Sequence, residues 1–162
     1  MKSAAYSYGD ELLSELNISI SQGSFYFLTG PSGSGKTTFL KMCYGSLVPT
    51  SGALTIFGKE SSDLTRDEMA YLRRKIGVVH QDCQFLDHLN VNDNIALPIM
   101  VSGQNSLSDN VNLKELLNWV GLSHRSKALP PELSGGERQR AALARAIIMS
   151  PDVILALSLI HI

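Results

Sequence analysis

Cysteines, clustered basic charge and long apolar runs are scarce in this 162-residue sequence. Its two cysteines, Cys43 and Cys83, are far apart and lack CxxC spacing, so neither a disulfide framework nor a zinc site is predicted. The formal net charge of −1 argues against the clustered basic charge that non-specific nucleic-acid binding needs. Apolar runs are shorter than the roughly 20 residues of a membrane helix, and no signal peptide is predicted. We therefore expect reduced thiols, no nucleic-acid partner, and any membrane link through another protein.

The residues that are present indicate an ordinary globular α/β domain, with 44% hydrophobic and 18% charged residues. Strand and helix patterns alternate, which predicts an α/β core with a largely parallel sheet. A change to helices and polar loops predicts an inserted helical subdomain at about 88–133. Predicted strands cover 15–21, 24–30, 52–58, 76–82 and 152–156, and predicted helices cover 36–45, 64–76, 112–121 and 134–150. Thr65 and Glu68 have the spacing of a capping box.

The stretch GPSGSGKTT (Gly30–Thr38) fits the phosphate-binding pattern G-x-x-x-x-G-K-[ST] between a predicted strand and a predicted helix. Glycines let successive backbone N–H groups point at phosphate oxygens, and the following helix directs its positive end to the same place. Lys36 adds a charge for the terminal phosphates, and the Thr37 hydroxyl can ligate Mg²⁺. The motif alone leaves GTPase, kinase and transport ATPase open. Its candidate nucleotide-binding residues are Gly30, Pro31, Ser32, Gly33, Ser34, Gly35, Lys36, Thr37 and Thr38.

A second motif, LSGGERQR (Leu133–Arg140), follows about a hundred residues later. Ser134 and Glu137 form a capping box that any helix could use. Two glycines inside a helix are unfavourable, however, unless something requires them. With the phosphate loop upstream, the motif resembles the signature of ABC-type ATPases. The resemblance runs from about Tyr6 to Ala156. It implies a P-loop NTPase core in which Ser134, Gly135, Gly136 and Glu137 close over ATP held by a second subunit.

The same resemblance implies roles for further residues. Gln81, after a predicted buried strand, would reach Mg²⁺ and the attacking water, and it is the second catalytic candidate beside Lys36. The candidate Mg²⁺ ligands are then Thr37 and Gln81, with ATP as the nucleotide. Tyr8 would stack on adenine, with Tyr6 as the competitor. His80 is interpreted as a packing residue, not as a base.

The sequence is most similar to the cell-division branch of this family, of the FtsE type in its alphaproteobacterial form. The stretches that carry this similarity are GSFYFLTGPSGSGKTTFLK, LRRKIGVVHQDCQFLDHLNVNDNIALP, WVGL and LPPELSGGERQRAALARAI. Membership implies a cytoplasmic homodimer, peripheral on the inner face of the membrane through a polytopic partner of the FtsX type. The rival branch comprises ATPases of lipoprotein-releasing or macrolide-type exporters.

The end of the chain departs from the family pattern. After the apolar stretch PDVILA the family has the Mg²⁺-binding Asp and the catalytic Glu, but this sequence has Leu157 and Ser158. We therefore expect a partial ABC ATPase domain at 1–156 that binds nucleotide without hydrolysing it, and whose full-length parent is an ATPase. A natural non-hydrolysing sensor, a deliberately truncated clone and a non-native tail at 157–162 all explain this ending. The tail is favoured, because DNA that can encode LSLIHI resembles a transposase-end adapter of sequencing libraries.

Overall fold

The structure, a computed structural model, describes residues 1–8, 11–103 and 107–157. The chain divides into two units, Met1–Arg73 and Arg74–Ile162. Helices and strands form the predicted α/β fold, but three of the four described strand pairs are antiparallel, whereas the sequence predicted a largely parallel sheet. In the described part of the chain, no helix has the length and apolarity needed to cross a bilayer. The predicted domain limits, 1–156 and about 88–133, stay predictions.

An antiparallel sheet in the order β2-β1-β3 organises the first unit. Its strands are β1 (Lys2–Tyr8), β2 (Glu11–Leu16) and β3 (Ser51–Ala53). The sequence placed a strand at 15–21, but β2 lies earlier because it forms where β1 can pair with it, from Tyr8 opposite Glu11 to Ala4 opposite Leu16. The predicted strand 52–58 is divided between β3 and a hairpin of β4 (Thr55–Ile56) and β5 (Lys59–Glu60). The positions of these strands thus depend on the strands with which they pair.

Two helices complete the first unit, α1 (Lys36–Cys43) and α2 (Arg66–Arg73). The capping box before α2 is confirmed, because the Thr65 amide donates to Glu68 Oε2 (3.1 Å) and the Glu68 amide donates to Thr65 Oγ1 (3.3 Å). At the other end of α2, the Arg73 guanidinium donates to the Gly45 carbonyl (2.6 Å), just after α1. The buried hydrophobic residues of this unit are Ala4, Phe39, Met42, Leu54, Ile56, Met69 and Leu72.

The predicted strand at 24–30 is wrong for the described structure, in which this stretch is extended but unpaired. Phe25 is 80% exposed and Phe27 is 84% exposed, and their rings contact each other edge to face at 5.0 Å. A strand is stabilised by ladder hydrogen bonds to a neighbour. None of the described strands pairs with this stretch, so its apolar pattern alone does not make it a strand.

The second unit contains a parallel strand pair and three helices. β6 (Ile76–Val79) pairs with β7 (Val153–Ala156) from Ile76 opposite Val153 to Val79 opposite Ala156, as the sequence predicts for a parallel core. The helices are α3 (Val91–Ser102), α4 (Leu107–Trp119) and α5 (Gly135–Ile147). Their main core consists of Val91, Ile95, Leu113, Leu117, Val120, Leu122, Leu133, Ala141 and Ala144.

Small residues bring α5 close to the strand pair. Ala142 and Ala146 of α5 pack with Val79 and Cys83 in a second buried cluster. A Cβ on Gly77 of β6 would lie only 2.3 Å from the Ala146 carbonyl oxygen. Helix and strand backbones are therefore nearly in contact, which places the loop after β6 directly beside α5.

Candidate functional site

The glycine-rich loop of the first unit is exposed and leads into α1. Gly35 immediately precedes the helix with a φ of 79°, and Gly33 has the same φ. Glycine adopts this left-handed conformation without the penalty that a Cβ brings. The Ser34 amide donates to the Pro31 carbonyl (3.3 Å) and closes a turn. Residues 30–34 are exposed, so a ligand can reach the loop.

Lys36 extends back along this loop. Its ammonium donates to the carbonyls of Gly30 (2.8 Å) and Pro31 (2.6 Å) and lies 3.4 Å from the Ser34 hydroxyl. These acceptors keep the charge beside the N-terminus of α1, where the helix dipole is also positive. Two sources of positive potential at one accessible loop suit an anion such as phosphate. Phosphate oxygens would give the ammonium charged acceptors in place of neutral carbonyls.

The two threonines after Lys36 have different surroundings. Thr37 is exposed, whereas Thr38 is 7% exposed and belongs to the interior of the first unit. The Thr37 hydroxyl is therefore the accessible oxygen at the start of α1. A hydroxyl oxygen is a suitable Mg²⁺ ligand.

The adenine-stacking prediction remains untested. The backbone of Tyr8 lies in β1 opposite Glu11, but its side chain is outside the described residues. Tyr6, the competing ring, is half-buried and lies opposite Leu13. The choice between the two tyrosines stays a prediction.

Gln81 lies in the second unit, at the exposed turn that follows β6. The chain then passes through two consecutive left-handed residues, Cys83 with φ 57° and Gln84 with φ 41°. His80 is half-buried, and burial, assisted by nearby Arg145, lowers its pKa against the opposing effect of Asp82. The packing role of His80 stays a prediction.

The signature motif starts α5 with a complete capping box. The Ser134 hydroxyl donates to Glu137 Oε2 (2.7 Å), the Ser134 amide donates to the same oxygen (2.8 Å), and the Glu137 amide donates to Ser134 Oγ (3.3 Å). Arg125 donates to Glu137 Oε1 (3.0 Å). Ser134 and Glu137 thus form a rigid start to the helix. Ser134 and Glu137 of the signature motif thus contact each other within the second unit. The glycine-rich loop and Lys36 likewise contact each other within the first unit.

The tandem glycines have no steric role in the described structure. A Cβ on Gly135 would meet nothing within 4 Å, and one on Gly136 would meet only the Arg140 Nη1 at 3.6 Å, an ordinary contact. Neither glycine has a left-handed φ. The fold therefore permits alanine at both positions, and the reason for glycine lies outside the described contacts.

The Glu137 carboxylate makes the second unit acid-sensitive. Hydrogen bonds from the Ser134 hydroxyl, the Ser134 amide and then Arg125 lower its pKa to about 2. An unfolded Glu takes up its proton near pH 4.3, so this contribution is complete above that pH and disappears as pH falls toward about 2. Glu137→Gln keeps the capping pattern without this titration. The stability advantage of wild type over Glu137→Gln should therefore shrink between pH 6 and pH 3 in thermal denaturation.

A control for this titration is Glu115→Gln, at an exposed position of α4. Its melting temperature at both pH values gives the effect of removing a carboxyl group from a helix surface outside the capping box. An equally large difference between wild type and Glu137→Gln at pH 6 and pH 3 would contradict the assignment.

Three residues that the sequence analysis missed support the capping box of α5, the turn after β6 and the loop before α3. Arg125 contacts Glu137, and Arg145 of α5 donates to the Gln84 carbonyl (2.8 Å) and to the Cys83 carbonyl. Asn94, which is 1% exposed, binds the backbone of the loop before α3 through the carbonyls of Leu86 (3.0 Å) and Leu89 (2.8 Å). The sequence held a signal for Arg145, because this charged residue interrupts a run of small apolar residues at 141–146.

Comparison with known proteins places these motifs in a family. The family model described as ABC transporter matches residues 13–156. The cell division ATP-binding protein FtsE of Bacillus subtilis is 40% identical over 152 residues, which cover 94% of this chain and 67% of that protein. The lipoprotein-releasing system ATP-binding protein LolD 1 of Rhodopirellula baltica is 42% identical over 158 residues, covering 95% and 69%.

Solved structures agree with the sequence relatives. The dimeric ATP-binding cassette MJ0796, in a post-hydrolysis state bound to ADP and Pi, superposes with a TM-score of 0.83 at 34% identity. The match covers 96% of this chain and 71% of that one. The chain spans about two thirds of the length of its curated relatives. With the phosphate loop and the signature helix in place, this chain belongs to the ABC transporter family as an ATP-binding domain.

Proposed function

We propose that this chain is the ATP-binding subunit of a membrane-associated ABC complex of the cell-division type. The observation that carries the proposal is the Lys36 ammonium, held by the loop carbonyls of Gly30 and Pro31 at the N-terminus of α1. An ATP phosphate would replace these carbonyls, while loop N–H groups and the helix dipole stabilise the added charge. The relative from Bacillus subtilis, named as a cell division ATP-binding protein, supports the cell-division assignment.

Mg²⁺ would accompany the nucleotide, and the available ligands suit it. Among the described residues there is no cluster of three His, Cys, Asp or Glu side chains that could hold a metal. Mg²⁺ commonly binds through one or two protein oxygens together with substrate phosphates. The Thr37 hydroxyl and the Gln81 side-chain oxygen, which the family resemblance implies as ligands, are oxygens of this kind. A Mg²⁺ ion bound with the nucleotide would neutralise phosphate charge.

The signature supports a role for a second subunit. Because the fold requires glycine at neither Gly135 nor Gly136, their small size serves the close approach of another molecule. The solved relative is a dimer bound to ADP and Pi. We propose a homodimer in which Ser134 and these glycines meet ATP held by the partner copy.

The membrane partner of the proposed complex is a polytopic protein of the FtsX type. The chain would then be a cytoplasmic subunit, bound at the inner face of the membrane through this partner. The similarity to the lipoprotein-releasing ATPase LolD 1 favours a second candidate, an exporter subunit. Co-purification of the tagged chain with an FtsX-type membrane protein supports cell division, whereas selective recovery of a lipoprotein-releasing membrane subunit supports the exporter.

Nucleotide binding by Lys36 is tested by titrating the chain with ATP and Mg²⁺. Lys36→Ala should weaken ATP binding by about 100-fold, because a charged donor to the phosphates is lost. Lys41→Ala, an exposed position in the last turn of the same helix, is the matched control and should bind ATP like wild type. Equal affinities for wild type and Lys36→Ala would refute the site.

Hydrolysis is proposed for ABC ATPases that have both carboxylates of the family pattern, and not for this chain. Leu157 follows β7, where the family resemblance expects the first of two carboxylates. An ATPase assay should therefore detect no turnover above the Lys36→Ala control, since no general base is supplied there. Turnover above that control would show that another residue activates water.

A further inference from the structure

The turn after Gln81 has a backbone that needs support. Cys83 and Gln84 both have positive φ, at 57° and 41°, although neither is glycine. Such residues persist only where their surroundings hold them. Cys83 is 6% exposed and packs against Ala142 and Ala146 of α5. The support for this turn therefore comes from the helix that begins with the signature motif.

Arg145 of α5 supplies the polar part of that support. Its guanidinium donates to the Gln84 carbonyl through Nη1 (2.8 Å) and to the Cys83 carbonyl through Nη2. The guanidinium also lies over the Phe85 ring, 4.8 Å from its centroid. One planar group thus contacts three consecutive residues through a fixed fork of donors and a flat face, which the single ammonium of lysine does not have.

The contacts of Arg145 are directed to this turn. In the described ranges no carboxylate forms an ion pair with Arg145. Burial lowers the pKa of the guanidinium, but arginine stays charged across the physiological range. A half-buried charge that binds two carbonyls and a ring fixes the turn in one conformation.

We infer that Arg145 is a positioning residue: it ties the turn that carries Gln81 to the signature helix α5, so that both elements move as one. The inference rests on the proposed function, in which Gln81 acts toward Mg²⁺ and the nucleotide. Ser134 and Arg145 lie at opposite ends of α5. A displacement of the signature end would then be transmitted through α5 to Gln81.

The first experiment measures the turn directly, without nucleotide. Hydrogen–deuterium exchange of the 162-residue chain is compared for wild type, Arg145→Met, Arg145→Lys and Arg140→Met. Arg140 is the matched control, because it lies on the same helix and donates to the Val120 carbonyl (3.0 Å), away from the turn. Peptides covering 81–86 should exchange about tenfold faster in both Arg145 variants, as a held segment opens locally, and should not change in Arg140→Met.

The second experiment separates positioning from general stability. ATP affinity is measured with Mg²⁺ and with EDTA. Arg145→Met should lose about tenfold in affinity with Mg²⁺, the effect expected when support of a metal ligand is removed, and should change less than about twofold with EDTA. Gln81→Ala should show the same pattern, and the double variant should be no weaker than either single variant.

Distinct outcomes overturn the inference and the proposed function. Unchanged exchange at 81–86 in Arg145→Met overturns the inference. Equal losses of ATP affinity with Mg²⁺ and with EDTA also overturn it, because they indicate a general structural role for Arg145. Additive losses in the double variant overturn it as well, because they indicate that Arg145 and Gln81 act independently. If wild type binds ATP no better than Lys36→Ala, the proposed function fails, and the exchange data alone then decide whether Arg145 holds the turn.

Discussion

Replacing Gly77 by alanine is expected to lower the free energy of unfolding by about 3 kcal/mol, in the upper range for overpacked interiors. The added Cβ would lie 2.3 Å from the Ala146 carbonyl oxygen and 3.0 Å from Pro151 Cγ. The nearest atom belongs to the helix backbone, so no side-chain rotation relieves the clash. α5 must shift away from β6, which also disturbs the turn held by Arg145.

The matched control is Gly135→Ala in the same unit. A Cβ at Gly135 meets nothing within 4 Å, and alanine is favoured over glycine in helices by about 0.5–1 kcal/mol. We expect this variant to be as stable as wild type or slightly more stable in urea denaturation followed by circular dichroism. Equal stability of Gly77→Ala and Gly135→Ala would contradict the close packing of α5 on β6.

Replacing Gly35 by alanine is expected to damage both the phosphate loop and the first unit. Its φ of 79° is strained for any residue with a Cβ, at about 1–2 kcal/mol. The Cβ would also lie 2.3 Å from Leu13 Cδ2, and displacing that side chain adds about 1 kcal/mol or more. The first turn of α1, which carries Lys36 and Thr37, must then move. We expect ATP affinity to fall at least about tenfold, because phosphate binding depends on this geometry.

Gly33→Ala separates strain from packing in this prediction. Gly33 has the same φ of 79°, but a Cβ there meets nothing within 4 Å. It should cost only the conformational penalty of about 1–2 kcal/mol, and urea denaturation of the two variants measures the difference. If Gly33→Ala is as destabilised as Gly35→Ala, contact with Leu13 does not explain the requirement for glycine.

Motifs that consist of neighbouring residues could be predicted from the sequence. The capping boxes of Thr65 with Glu68 and of Ser134 with Glu137 form as expected, since each closes over three residues of its own helix. Strand β6 and helix α5 also appear close to where their patterns indicate. The glycine-rich loop precedes a helix as predicted, and membership of the ABC family follows from these local motifs together with their spacing.

Features that join distant residues required the tertiary structure. The apolar pattern at 24–30 resembles a strand, but a strand exists only where a partner supplies hydrogen bonds, and no described strand does so. β2 lies where β1 pairs with it. The contact of Arg145 with Cys83 and Gln84 spans 62 and 61 positions. The sequence by itself determined the motifs because their hydrogen bonds close within a few residues. Only the tertiary structure decided which strands pair, how closely Gly77 packs against α5 and which residues support the turn after Gln81. These features depend on which distant parts of the backbone come together.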